Sequence, residues 1–188
     1  MEIFQSIDES VLLWVQNNIR RDWLNPLFIF ITNLGTAGIL WICISIYLCM
    51  DKKKRKIGIT CGLALVLYLL IGNIIFKNIF HRPRPFVEIE GLKALGSLPR
   101  GYSFPSGHTG SSFSVSFILY TLIGGKKGRI AMILATLIGF SRIYIGVHYL
   151  SDVIFGAILG IGIGLLSIKI VNEIAFLKKD RSKKARKL

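Results

Sequence analysis

Long apolar stretches alternate along this chain with short charged or Gly/Pro-containing ones, and five of them, residues 24–50, 57–80, 106–123, 130–145 and 152–176, read as membrane-spanning helices. A helix rises about 1.5 Å per residue and a bilayer's hydrocarbon core is about 30 Å thick, so a span needs about 20 mostly apolar residues. The fourth stretch is the shortest. Ahead of them, Ile3, Ile7, Val11, Trp14 and Val15 recur at helical spacing while Asp8, Glu9, Gln16 and Asn17 fill other positions. That pattern predicts an amphipathic helix in the membrane interface over residues 1–21 rather than a sixth span. Asn25 followed by Pro26 predicts an N-cap and a first helical position for the first span. The predicted fold is an all-α membrane protein, a bundle of five transmembrane helices plus the N-terminal interfacial helix, six helices in all.

Composition sharpens this picture. At 188 residues the chain has the size of one domain, and its 52% hydrophobic content exceeds that of an ordinary soluble domain. A net charge of +14 on a soluble face would suggest a nucleic-acid partner. Here the basic residues sit between apolar runs and read as topology signals, so membrane lipids are the expected partners and nucleic acid is not. Five basic residues lie within 51–56, three within 124–129 and seven within 178–187, and alternation of the spans puts all three clusters on one side. Short cytoplasmic loops hold such an excess, so that side is predicted to be cytoplasmic, with the loop 81–105 and the turn at His148 outside. Arg20 and Arg21 run against this orientation and are outnumbered. The sequence divides into one integral membrane domain, 1–176, and a basic tail, 177–188, expected to be a disordered anchor beside anionic headgroups. Cys43, Cys49 and Cys61 lie inside apolar runs without metal-ligand companions and read as core or lipid-facing thiols. The N-terminal residues lack the features of a cleaved secretory signal, and nothing is expected to be removed.

Charge near hydrocarbon is costly, so polar groups at the predicted outer ends of the spans ask for a reason. In KNIFHRPRP, Lys77 lies near the end of the second span and Arg84 follows in the loop; singly they could be a snorkelling anchor and an ordinary loop charge. In FPSGHTGSS, Pro105 and Ser106 are expected to open the third span and leave the amides of Ser106, Gly107 and His108 without helical partners, an arrangement that favours an anion. A plain N-cap turn is the alternative. In SRIYIGVHYLSD, His148 and Asp152 are four apart and share a face if the fifth span begins there. A carboxylate on one ring nitrogen fixes the tautomer and leaves the other nitrogen as a nucleophile or base; Asp152 could otherwise serve its own helix dipole. Arg142 sits among apolar residues, where an anion is its natural partner. Together these groups are the parts of phosphoryl transfer through a histidine, with cations and amides holding the equatorial oxygens.

Lys77 and Arg84-Pro85, then Pro105-Ser106-Gly107-His108, then Ser141-Arg142, His148 and Asp152 resemble the three motifs of the type 2 phosphatidic acid phosphatases, whose wider superfamily includes the vanadium-dependent haloperoxidases and bacterial acid phosphatases. The resemblance covers residues 57–176. It implies that His148 attacks phosphorus with Asp152 orienting its ring, and that His108 protonates the leaving oxygen and then activates water. It implies that Lys77, Arg84, Ser106, Gly107 and Arg142 bind phosphate, with no metal or cofactor. The implied substrate is a lipid phosphate or diphosphate, undecaprenyl diphosphate first, with phosphatidylglycerophosphate or phosphatidic acid as alternatives. A haloperoxidase would need a sizeable soluble domain. A lipid-binding or transport protein with a retained anion site is the non-enzyme alternative. Glu88 and Glu90 read as solvated loop residues or as weak selectivity candidates, and His81 as an interfacial packing residue.

Overall fold

The computed structural model describes the backbone of residues 2–185 and the side chains of residues 5–177. Among these residues the chain is helical and has no strand. Helix α1 (Glu2–Trp14) continues through a π turn (Val15–Ile19) and precedes α2 (Asn25–Leu34) and α3 (Ile39–Met50). Helix α4 (Arg55–Tyr68) runs through a π segment (Leu69–Phe76) into α5 (Lys77–Phe80). After the short α6 (Pro85–Glu88) come α7 (Gly107–Leu122), α8 (Gly125–Tyr144) and α9 (Leu150–Ala185). The up-and-down order places the basic segments 52–56 and 126–129 at one end of the bundle and residues 81–105 and 145–149 at the other.

The central helix is α7, and its sequence explains why. Thr109, Ser112, Ser114 and Ser116 are buried, each small enough to let neighbouring backbones approach. The approach is made by glycines: a Cβ added at Gly156, Gly160 or Gly164 of α9 would meet the carbonyl oxygen of Ser106, Gly110 or Ser114 at 3.0, 2.4 and 2.9 Å. This small-residue seam is the packing that apolar surroundings favour, where close backbone contact replaces a hydrophobic driving force. On the other flank Tyr68 of α4 lies flat on Gly110 and donates its hydroxyl to the Ser106 carbonyl at 3.0 Å. Trp41 of α3 donates its indole N–H to Ser112 Oγ at 2.8 Å. Large apolar side chains such as Ile39, Ile46, Tyr47 and Met50 on α3 and Ile154 and Ile158 on α9 point outward, as they do on helices solvated by lipid rather than water.

Several expectations change. The first span is bent: α2 and α3 meet at 44° across Thr36–Gly38, where Ala37 and Gly38 have φ of 50° and 68°. The bend brings Gly35 against the site, since a Cβ there would lie 2.8 Å from His108 Cδ2 and from Ile138 Cγ2. Segments Arg55–Glu88 and Leu150–Leu177 are long and apolar enough to cross a membrane, and the bent pair makes a third if it counts as one span. Neither α7, 16 residues long, nor α8 meets that measure. Asn25 is not the cap of α2: Leu24 holds that position, and Asn25 Oδ1 accepts from the Tyr144 hydroxyl at 2.9 Å. Along α1 the buried positions are Asp8 and Leu12, followed by Val15 in the π turn, while Ile7 and Trp14 are exposed, because Asp8 finds buried hydrogen-bond donors described below. The basic tail is expected to be disordered, yet α9 continues to Ala185, as suits its Lys, Arg and Ala residues; the side chains of residues 178–185, residues 186–188 and the Ile3 side chain lie outside what is described. Of the three thiols, Cys61 is buried, Cys49 half-buried and Cys43 exposed.

The seam makes a direct prediction. In Gly110→Ala the new methyl group would sit about 2 Å from the Tyr68 ring, and overpacking of this kind costs about 1–3 kcal/mol. Gly62→Ala meets open space and should leave the thermal midpoint in detergent unchanged while Gly110→Ala lowers it. Equal midpoints for the two variants would refute this packing.

Candidate active site

Five parts of the chain converge at the end of the bundle opposite the basic loops. Lys77 reaches in from the start of α5, Arg84 from the N-cap of α6, Gly107 and His108 from the first turn of α7, Arg142 from the last turn of α8, and His148 from the turn before α9. All six line one cavity of about 840 Å³. Ser106 and Asp152 stand behind it rather than on its wall.

The His148 ring is held on both sides. Its Nδ1 lies 3.3 Å from Asp152 Oδ2, and its Nε2 lies 3.4 Å from Arg84 Nη1. With the carboxylate facing Nδ1, that nitrogen carries the proton and Nε2 presents its lone pair toward the cavity. The helix does not reach back to His148, which precedes α9 by two residues, so the contact with Asp152 comes from the turn and not from a shared helical face. Asp152 closes that turn: its Oδ2 also accepts the Tyr149 amide at 3.0 Å, the reciprocal half of a capping box. His148 is almost fully buried, and burial first, then the charges of Arg142, Arg84 and Lys77, holds its imidazole well below the usual range. Both causes favour the neutral ring, the form that can act as a nucleophile.

Three cations surround this ring, and among the described residues none is paired with a carboxylate. Arg84 is fixed by carbonyl oxygens: Nε donates to Gly101 at 2.8 Å, Nη1 to Val147 at 3.0 Å and Nη2 to Tyr102 at 3.1 Å. Arg142 Nη1 donates to Thr32 Oγ1 at 2.5 Å, and its buried Nε has no protein partner. Asn73, one turn before Lys77 on the same wall, has a buried Oδ1 that is likewise unpartnered. Positive charge taken out of water without a counter-charge is costly, and an anion in the cavity is what offsets it.

The α7 start differs in detail from the expectation. The Ser106 amide donates to the Asp152 carbonyl at 3.1 Å, and its hydroxyl lies 2.9 Å from Thr109 Oγ1, where it caps the helix. That leaves the Gly107 and His108 side of the turn facing the cavity. A side chain at Gly107 would strike Asn73 Oδ1 at 2.7 Å, so glycine there keeps the helix end open to a ligand. Glu88 and Glu90 are exposed and off the cavity wall. His81 is exposed as well and packs edge-on against Tyr102, 4.6 Å between ring centres.

Four further residues take part that stand outside the sequence motifs. Arg82 and Asp8 bind the far oxygen of Asp152 and the start of α9, Thr32 holds Arg142, and Asn73 faces the cavity. Arg82 had a visible signal, two residues before Arg84 in HRPRP. For Asp8, Thr32 and Asn73 the sequence carried none beyond a polar residue in an apolar stretch.

Below the cations the same cavity continues as a groove between α3 and α4, lined by Ile42, Ile46, Ile59, Leu65, Val66 and Leu69. Four of these, Ile46, Ile59, Val66 and Leu69, are more than half exposed, so the groove opens sideways.

Residues 57–175 match the PAP2 superfamily. An undecaprenyl-diphosphatase of Sulfolobus acidocaldarius is 33% identical over 163 residues, covering 86% of this chain and 78% of its own. The undecaprenyl-diphosphatase BcrC of Bacillus subtilis is 32% identical over 76% of this chain and 72% of its own. Among solved structures, a transmembrane PAP2-type phosphatidylglycerolphosphate phosphatase from Bacillus subtilis superposes with a TM-score of 0.77 at 28% identity, over 93% of this chain and 89% of that one. The chain belongs to the PAP2 superfamily and, with the phosphatases it matches, is a phosphoric ester hydrolase.

Proposed function

We propose that this protein removes a phosphate from a lipid phosphate or diphosphate, with undecaprenyl diphosphate as the first candidate, through a phosphohistidine at His148. The observation that carries the reading is a single cavity with two chemically opposite ends: three cations without a carboxylate partner among the described residues around a buried histidine at one, and a laterally open apolar groove at the other. A phosphorylated headgroup fits the first and a hydrocarbon tail the second. The names of the relatives support the diphosphate of an isoprenoid lipid, and phosphatidylglycerophosphate is the second reading, favoured by the structural neighbour.

In this mechanism Lys77, Arg84 and Arg142, with the Gly107 amide, hold the phosphoryl oxygens as charge shifts among them. His148 Nε2 forms a bond to phosphorus as the bond to the lipid oxygen breaks, and His108 gives that oxygen its proton. Asp152 stabilises the positive charge that develops on the His148 ring. Water then attacks the phosphohistidine, His108 takes the proton back, and inorganic phosphate leaves with His148 neutral again. Among the described residues no group of three or more His, Cys, Asp and Glu side chains is placed to hold a metal ion; in the proposed chemistry the three cations stabilise the charge.

We place five spans in the bilayer: the α2–α3 pair, α4 with its π extension, α7, α8 and α9, with α1 docked at the site end and lying in the interface. The short and partly polar α7 is compatible with this because Ser112, Ser114 and Ser116 are buried against protein and Ser111 faces the cavity. The basic ends put the C-terminus in the cytoplasm and the site at the outer face of the cell membrane. Arg20, which ran against that orientation, is bound to the carbonyl oxygens of Tyr144 and Lys93 and so serves packing.

His148→Ala should lower phosphate release from a lipid phosphate at least about 10³-fold with its thermal midpoint retained; wild-type turnover would sink the mechanism. Activity should persist in excess EDTA, and loss that added magnesium restores would contradict the cation-only chemistry. At matched detergent ratios, undecaprenyl diphosphate should be hydrolysed with a higher kcat/KM than phosphatidylglycerophosphate or phosphatidic acid, and the reverse order would replace the first candidate by the second.

A further inference from the structure

Asp152 meets His148 with one carboxylate oxygen, and its other oxygen leads away from the cavity. Oδ1 accepts from Arg82 Nη1 at 2.8 Å. The same Nη1 is 2.7 Å from Ser151 Oγ, and Nη2 is 2.7 Å from Asp8 Oδ2. Asp8 is 2% exposed and Asp152 0%. Asp8 belongs to α1, more than 140 residues from α9 in sequence, yet its Oδ1 accepts the Ser151 amide at 2.9 Å and its Oδ2 the Ser151 hydroxyl. The guanidinium carbon stands 3.8 Å over the centre of the Tyr149 ring. Arg82 is thus held in plane by two carboxylates, a hydroxyl and an aromatic face, a geometry that the arginine fork satisfies in full and an ammonium only in part.

Arg82 does not line the cavity, and its direct bond to the residues around the His148 ring is the one to Asp152. A buried carboxylate with one oxygen fixed by a guanidinium has little freedom to turn. That constraint passes to the imidazole, whose Nε2 must point at phosphorus. Asp8 in turn holds Arg82 from the opposite side. We propose that Arg82 is a positioning residue for His148 and Asp152, and that the N-terminal helix is part of the catalytic support because Asp8 anchors Arg82. The proposal rests on His148 being the nucleophile.

The test uses the full chain in detergent, with phosphate release from undecaprenyl diphosphate and the thermal midpoint measured for Arg82→Gln, Arg82→Lys, Asp8→Asn and the double variant Asp8→Asn/Arg82→Gln. Arg82→Gln should lower kcat about 10- to 100-fold, the effect outer-shell partners of a histidine have elsewhere, with KM unchanged. Arg82→Lys should recover part of the loss, and Asp8→Asn should show a smaller fall in kcat alone. The double variant should be no slower than Arg82→Gln, because both changes interrupt one path. A raised KM at unchanged kcat, an unchanged kcat in Arg82→Gln, or losses that multiply in the double variant would each overturn the proposal. Should Arg82→Gln fail to fold, Asp8→Asn decides the point by the same split. An inactive His148→Ala beside a fully active Arg82→Gln refutes the positioning role alone, whereas an active His148→Ala refutes the nucleophile itself.

Discussion

Positive charge buried without a carboxylate beside it sets the terms for the rest of this molecule. Lys77, Arg84 and Arg142 face one cavity, and their cost in the absence of a counter-charge has to be carried by everything packed around them. Carbonyl oxygens of the 99–105 loop and of Val147 hold Arg84, and Thr32 holds Arg142. The acid of the site, Asp152, is kept on the far side of His148 and faces Arg82. An anionic ligand therefore meets cations that no carboxylate among the described residues pairs with.

The scaffold reflects that requirement. Helix α7 is pinned from three sides by the glycine seam of α9, the Tyr68 ring and the Trp41 indole, which fixes where its open N-terminal turn points. The kink at Thr36–Gly38 sets Gly35 against His108, and the groove between α3 and α4 runs on from the same cavity.

Much of this was legible in the sequence because it was local or periodic. Apolar run lengths marked the helices now seen as α4 and α9, and the fixed spacings from Lys77 to Arg84 and from Arg142 to His148 and Asp152 marked residues that the fold brings together. The bend in the first span was not legible, since Gly35 and Gly38 in an apolar stretch are compatible with a straight membrane helix. The burial of Asp8 was hidden for a different reason. Helical periodicity placed Asp8 on the polar face of α1, and only the tertiary partners Ser151 and Arg82 reverse that assignment. Ser106 shows the same limit: its amide was expected to face a ligand, and a contact to Asp152 across the chain occupies it.

The central claim is that His148 Nε2 carries the phosphoryl group during turnover. Rapid quench of the enzyme with a slowly hydrolysed lipid diphosphate at alkaline pH, followed by peptide mass spectrometry, measures this most directly. The account predicts an acid-labile phosphate on the peptide containing His148, formed at a rate competent for turnover and absent from His148→Ala. Turnover without any phosphorylated intermediate, or with the phosphate on a serine or on His108, would contradict it.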